Sequence, residues 1–206
     1  MDDVEFGCGG LISSLIRSNF PQKNLFVQVL SKNLRDSEGK IVLQRDIEEQ
    51  YKSFESLGLD KNSYEVNSVV DGQVFPEQRQ KLLDFLYQIK NKFSPDIVFT
   101  NSRNDVHQDH RTLAETTLKA FNRKSIIYYQ IYNSSHRDFS NFFFPIEIED
   151  VQNKIKALNS FRSMLSSDTS LIDYFSNDVI KSKLIVDGLK SGNKYAECFE
   201  IERLIL

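Results

Sequence analysis

The sequence predicts an α/β protein with a Rossmann-like, doubly wound and mostly parallel sheet. Short runs of β-branched and aromatic residues alternate with longer stretches of helical periodicity. Turn residues bound the runs: Pro21 precedes the first, Asp71-Gly72 follows the second and Pro95 precedes the third. This alternation is typical of βαβ units, which form parallel sheets.

Four runs have the composition of strands: 25–30, 64–70, 96–100 and 125–132. The helical stretches are 9–18, 44–57, 77–92, about 108–121, 148–158 and 171–189. In the third of these helices, Leu82, Phe85, Leu86 and Ile89 recur at the spacing of a buried face. Neither an internal repeat nor an interdomain linker stands out.

The first helix has no strand before it, because its leading loop begins at residue 1. In a doubly wound sheet the first strand is normally central and buried on both faces. We therefore expect a single domain over residues 1–206 that is truncated at its N-terminus and lacks its first central strand. The functional gene product is then expected to start upstream.

Composition excludes several classes of protein. The net charge of -3 gives no basic field for nucleic acid phosphates. Cys8 and Cys198 are too few and too far apart for a disulfide framework, which predicts free thiols and a reducing compartment. No apolar run reaches the roughly 18 residues of a membrane span, and the N-terminus does not resemble a secretory signal. We expect a cytoplasmic protein with no nucleic acid partner and no membrane span.

A histidine cluster follows the strand at 96–100, where parallel sheets place their binding crevices. It reads Asn104-Asp105-Val106-His107-Gln108-Asp109-His110, and it contains two of the three histidines in the chain. Three residues apart on a first helical turn, His107 and His110 share one face. Asp109 is placed to orient an imidazole. The alternative is a polar helix cap with Asp109 against the helix dipole; the third histidine, His136, is predicted to be a surface-loop residue.

The acidic start, Asp2-Asp3-Val4-Glu5, has two interpretations. Charged chain ends are usually solvated and without function. The run Gly7-Cys8-Gly9-Gly10 follows directly, however, and suits a close backbone approach where a loop enters a helix. Paired carboxylates and paired imidazoles are together the groups that a hydrolytic metal site needs.

These stretches resemble the PIG-L/LmbE-like zinc de-N-acetylases. The start is similar to the end of that family's His-Pro-Asp-Asp motif, and His107 to His110 match its His-x-Asp-His motif. Further similarity lies at 94–100, in Arg45 to Glu48, and in the closing Ser-Gly and Tyr-Ala-Glu pattern of residues 191–199. The resemblance covers nearly the whole chain.

The resemblance implies a zinc ion (Zn²⁺) and a role for each matching residue. Asp3 and His110 would be metal ligands, and Asp2 would be the general base. His107 would stabilise the oxyanion or protonate the leaving amine, with Asp109 orienting it. The substrate would be a small N-acetylated sugar conjugate of the N-acetylglucosamine type. The family's first ligand, a histidine two positions before Asp2, is not in the sequence, so we expect weak metal binding and poor activity from this chain.

Three more residues are candidates for substrate binding: Arg45, Asp71 and Arg103. The alternative for Arg45 is an intrahelical pair with Glu48 or Glu49, and for Asp71 a turn before Gly72. Two other functions stay open. The chain could be a non-catalytic α/β relative that binds a sugar or nucleotide, or a metal-dependent hydrolase of phosphate esters. A homo-oligomer is a further possibility.

Overall fold

The computed structural model describes residues 2–36, 38–135, 137–161 and 174–205. The helices in these residues are α1 (Asp3–Arg17), α2 (Ile47–Ser56), α3 (Arg79–Phe93), α4 (Gln108–Ala120), α5 (Ile148–Leu158) and α6 (Asn177–Lys190). The strands are β1 (Val27–Val29), β2 (Asn33–Arg35), β3 (Ile41–Gln44), β4 (Tyr64–Val66), β5 (Ile97–Asn101), β6 (Ser125–Tyr129), β7 (Phe142–Pro145) and β8 (Ala196–Arg203). The α/β class predicted from the sequence is confirmed.

The chain divides into two compact units. The first comprises Met1–Lys32, Arg45–Asn67 and Phe143–Glu197, and the second comprises Asn33–Gln44, Ser68–Phe142 and Cys198–Leu206. Because each unit draws on three stretches of chain, contacts between residues distant in sequence hold each unit together.

Helix packing dominates the first unit. Helix α5 packs against α1, α2 and α6. Phe54, Leu158 and Ile180 contribute fully buried side chains from three of these helices. Strands β1 and β4 form a parallel pair with Val27 opposite Tyr64, and Asn67 N–H closes the end of this pair on the Val29 carbonyl.

The second unit contains most of a four-stranded sheet with the order β5-β6-β8-β7. Strands β5 and β6 are parallel, with Ile97 opposite Ser125, whereas β8 runs antiparallel to β6. Helix α4 packs on β5 and on α3. Strands β2 and β3 form a separate antiparallel pair.

Several predicted boundaries need correction. Helix α1 begins at Asp3 rather than residue 9, since Asp3 places favourable negative charge in its first turn. Strand β4 ends at Val66 instead of residue 70. The sequence analysis missed β2, β3, β7 and β8. Strand β8 has the sequence AECFEIER, in which the adjacent Cys198 and Phe199 and the adjacent Glu202 and Arg203 break the polar–apolar alternation that predicts a strand.

Parts of two predictions lie outside the described residues. They are residues 171–173 of the predicted last helix, which is observed as Asn177–Lys190, and the loop residue His136. Both cysteines are free thiols and buried, as predicted. In the part of the chain that the structure describes, no helix combines the length and apolar character needed to cross a membrane.

Gly188 provides a test of the packing in the first unit. A Cβ atom there would lie 2.7 Å from the backbone carbon and oxygen of Lys194, and backbone cannot move aside as a flexible side chain can. We expect Gly188→Ala to lower the free energy of unfolding by about 2 kcal/mol in urea denaturation, despite the better helix propensity of alanine. Ser182→Ala, at an exposed position of the same helix, is the control and should change it by less than about 0.5 kcal/mol. Equal effects would contradict this account.

Candidate functional site

The histidine cluster lies at the start of α4, just after the carboxyl end of β5. His107 is the N-cap residue, and its Nδ1 accepts a hydrogen bond from the Asp109 backbone N–H at 3.2 Å. His110 follows one turn later. The two imidazole rings stack, with centroids 4.4 Å apart and planes inclined by 22°. Thus the structure brings together the two imidazoles that the sequence singled out, and His107 does cap a helix.

Asp105 organises this cluster, although the sequence analysis assigned it no role. Its carboxylate is 2.9 Å from His110 Nδ1 and accepts the His107 backbone N–H at 2.8 Å. The Ser134 hydroxyl, from the loop after β6, donates to the same carboxylate at 2.8 Å. Asp105 is only 2% exposed. A sequence signal existed, because an Asp two residues before a helix N-cap commonly accepts that residue's N–H.

Burial and hydrogen bonding act on Asp105 in opposite directions. Burial alone would raise the pKa of the carboxyl, but hydrogen bonds from His110, from the His107 backbone and from Ser134 hold that pKa below its ordinary value. The carboxylate is therefore ionised at neutral pH. An ionised acceptor at Nδ1 favours the His110 tautomer with its proton on Nδ1 and its lone pair on Nε2.

His107 has the opposite arrangement. Its Nδ1 accepts the N–H of Asp109, so in the neutral ring the proton resides on Nε2. The two stacked imidazoles therefore present different atoms: His110 offers an Nε2 lone pair, which suits a metal, whereas His107 offers an Nε2–H donor. This difference follows from the hydrogen bonds around each ring.

Asp109 does not have the surroundings predicted for it. Its two carboxylate oxygens accept the backbone N–H groups of Gln73 at 2.5 Å and Phe75 at 3.1 Å. These contacts hold the loop at residues 73–75, where Gln73 has a left-handed backbone (φ 74°). The Asp105 carboxylate contacts the His110 ring, and Asp109 anchors a loop to the start of α4.

Asp2 and Asp3 lie at the start of α1. Asp2 is the N-cap residue, 7% exposed, with φ 82° in the left-handed region that non-glycine residues rarely adopt. Arg45 Nη1 donates to Asp2 Oδ1 at 2.7 Å, and both side chains are largely buried. Asp3 is half-buried in the first turn.

The three candidate substrate-binding residues all make ion pairs. Arg45 precedes α2 and pairs with Asp2. The carboxylate of Asp71 accepts from Arg35 Nε at 2.6 Å and from Asn33 at 3.1 Å. Burial would raise the pKa of Asp71, but these two hydrogen bonds hold it below its ordinary value.

Arg103 contacts Glu202 at 3.3 Å, and its side chain is 47% exposed. Among residues 2–36, 38–135, 137–161 and 174–205, His, Cys, Asp and Glu side chains form no group of three or more able to hold a metal ion.

Comparisons with known proteins extend this description. A comparison with curated proteins found no match. The fold is similar to that of the N,N'-diacetylchitobiose deacetylase of Pyrococcus horikoshii, with a TM-score of 0.70, 18% identity, and coverage of 97% of this chain and 79% of that one. A teicoplanin deacetylase in its zinc-inhibited form gives a TM-score of 0.67 at 12% identity, covering 96% and 93%. The 4-carboxy-2-hydroxymuconate hydratase of Pseudomonas putida gives 0.68 at 16% identity, covering 100% and 93%.

At these identities the similarity to solved structures is one of fold. A sequence match is more specific: the family model described as PIG-L, GlcNAc-PI de-N-acetylase, matches residues 1–121, which is more than half of the chain and includes both the acidic start and the histidine cluster. The chain therefore belongs to the PIG-L family.

Proposed function

We propose that this protein is a metal-dependent amide hydrolase that removes the acetyl group from an N-acetylated sugar conjugate of the N-acetylglucosamine type. The observation that carries the proposal is the opposite hydrogen bonding of the stacked His107 and His110 rings. Family membership supports the reaction class. The fold alone does not select it, because a hydratase shares that fold.

The proposed role of His110 is that of a metal ligand. Its Nδ1 faces the buried Asp105 carboxylate, the arrangement that typically fixes a ligating imidazole and makes its Nε2 more basic. Asp3 is proposed as a second ligand, from the family resemblance. Oxygen and nitrogen donors of this kind fit Zn²⁺, but catalytic zinc usually has three protein ligands. In the described residues the cluster of three is missing, so this donor set fits the metal only in part.

Zinc, when bound, would polarise the acetyl carbonyl and make the attacking water more acidic. Asp2 is proposed to take the proton from that water as its oxygen bonds to the carbonyl carbon. Arg45 holds the Asp2 carboxylate at 2.7 Å, so we assign Arg45 to positioning the base as well as to substrate binding.

His107 is proposed to donate its Nε2–H to the oxyanion that forms on the acetyl oxygen. The carbonyl then re-forms as the carbon–nitrogen bond breaks, and the leaving nitrogen takes the proton that Asp2 removed from the water to depart as a free amine. The products are acetate and an amino sugar. Since Asp109 uses both oxygens on backbone N–H groups, its proposed contribution is to hold the start of α4 and, with it, His107.

Asp71 and Arg103 remain proposed substrate contacts. Each would have to leave or share its ion pair, with Arg35 and Glu202 respectively, to bind sugar hydroxyls. We also propose a cytoplasmic location, which the two free thiols support. The homo-oligomer and the single domain likewise remain proposals.

Acetate release tests the function directly. The protein is stripped with a chelator, reloaded with zinc and incubated with N-acetylglucosamine conjugates, both as the 206-residue chain and as a form preceded by a strand ending in His-Pro. We expect the extended form to be the more active, and Asp2→Asn to lower its turnover by about a hundredfold or more while zinc stays bound. Asp84→Asn, on the exposed face of α3, is the matched control.

Four results would contradict the proposal. Acetate release that is unchanged by chelation would exclude the metal, and undiminished turnover in Asp2→Asn would exclude that base. Hydrolysis of phosphate esters without acetate release would favour the other hydrolase class, and ligand binding with no turnover in either form would favour a binding protein.

The role of Asp105 gives a separate prediction. Asparagine has nearly the same shape but lacks the negative charge that holds His110 Nδ1–H, so we expect Asp105→Asn to weaken zinc binding by about 10- to 100-fold. Competition against a chromophoric chelator measures this affinity, with Asp84→Asn as the control. Equal affinity in both variants would remove Asp105 from this role, whatever the substrate turns out to be.

A further inference from the structure

A carboxylate from outside α1 bonds to the middle of this helix. The backbone N–H groups of Gly10 and Leu11 donate to Glu197 Oε1 and Oε2 at 2.8 and 2.7 Å. Inside a helix such groups normally donate only to the carbonyl four residues earlier. For Gly10 that carbonyl belongs to Phe6.

The Phe6 carbonyl also has an external partner. Lys154 Nζ, from α5, donates to it at 2.6 Å and to Glu197 Oε1 at 2.5 Å. Both groups of one helical rung, the Phe6 carbonyl and the Gly10 N–H, therefore bond to one ion pair. Lys154 and Glu197 are 4% and 3% exposed, so the pair is held away from water.

Glycine makes this approach possible. A Cβ atom on Gly10 would lie 3.0 Å from the Glu197 carboxylate and 2.7 Å from Ile146 Cδ1. On Gly9 it would lie 3.2 Å from Lys154 Cγ. Glycines normally weaken a helix interior, so their presence on this side of α1 is explained by the ion pair that packs there.

A buried ion pair is a poor source of stability, because each charge loses its hydration. Apolar side chains of similar volume would fill the same space at lower cost. What the charges add is direction: a carboxylate can only accept and an ammonium can only donate, so Glu197 must face the N–H groups of α1 and Lys154 must face the Phe6 carbonyl, which fixes α1 along and around its axis.

We propose that Lys154 and Glu197 are positioning residues that set the register of the first turns of α1, the segment that begins with Asp2 and Asp3. The inference rests on the proposed function for the roles of those two carboxylates. Neither Lys154 nor Glu197 is proposed to touch the substrate.

Amide hydrogen exchange tests the positioning without any assay of activity. In the wild-type protein, Gly10 and Leu11 should exchange as slowly as Ile180 and Leu184 of α6, although glycines on either side of Cys8 weaken this part of α1. In Lys154→Met/Glu197→Gln, which leaves no unpaired charge, exchange in residues 3–11 should rise by about tenfold relative to α6. Lys156→Met, on the exposed face of α5, is the matched control and should change neither.

Two exchange results would overturn the proposal. One is fast exchange of Gly10 and Leu11 in the wild-type protein, a measurement that stands even where the double variant does not fold. The other is equal acceleration of α1 and α6 in the double variant, since that would mean a general loss of stability.

Turnover supplies the second readout. The double variant should lose about tenfold or more in kcat with KM unchanged, because misplaced Asp2 and Asp3 affect the reaction more than substrate binding. Amide exchange that becomes faster only in α1, with kcat unchanged, would overturn the positioning role. Inactivity of both the 206-residue chain and the extended form would refute the proposed function, whereas faster amide exchange confined to α1 in the double variant would still support the register that the ion pair imposes.

Discussion

One buried carboxylate holds the histidine cluster together. Asp105 connects three pieces of the second unit, namely its own loop after β5, the first turn of α4 and the loop after β6. Its negative charge costs free energy to bury, and the hydrogen bonds that it accepts offset this cost. The same bonds determine which nitrogen of His110 carries the proton. Local folding and the chemical character of the cluster therefore have the same cause.

In both units, buried carboxylates accept hydrogen bonds from backbone N–H groups. Asp109 accepts two N–H groups of the loop at 73–75, and Glu197 accepts two from α1. Asp150 of α5 accepts the Glu147 N–H while also bonding to Ser13 and Arg17 of α1. Each carboxylate holds a backbone segment by charge-assisted hydrogen bonds, which are stronger than hydrogen bonds between neutral groups. The acidic residues of this chain therefore order its interior as well as keeping its surface hydrated.

The sequence predicted the fold class and the histidine pair because both depend on local patterns. Helical periodicity predicted the helices, and the predicted end of the strand at 96–100 placed His107 at the edge of the sheet. The sequence did not reveal the role of Asp105, because the partners of this carboxylate come from two different loops and a helix start. It also did not reveal the Asp2–Arg45 pair, because these residues lie 43 positions apart. Helix α1 was predicted to begin at residue 9 because the run from Gly7 to Gly10 resembled the entry from a loop into a helix, and the ion pair beside it was invisible in the sequence. Strand β8 was missed because its residues do not alternate between polar and apolar.

The bonds from Gly10 and Leu11 to Glu197 span 187 and 186 residues. During synthesis on a ribosome, Glu197 emerges 186 residues after Leu11. Until then Gly10 and Leu11 lack the carboxylate, and the glycine-rich half of α1 has little helix propensity of its own. Contacts of such long range are formed slowly, since chain entropy must be lost before they are gained. The nascent chain must therefore wait for Glu197 before α1 is secured, and it depends in that interval on protection from aggregation.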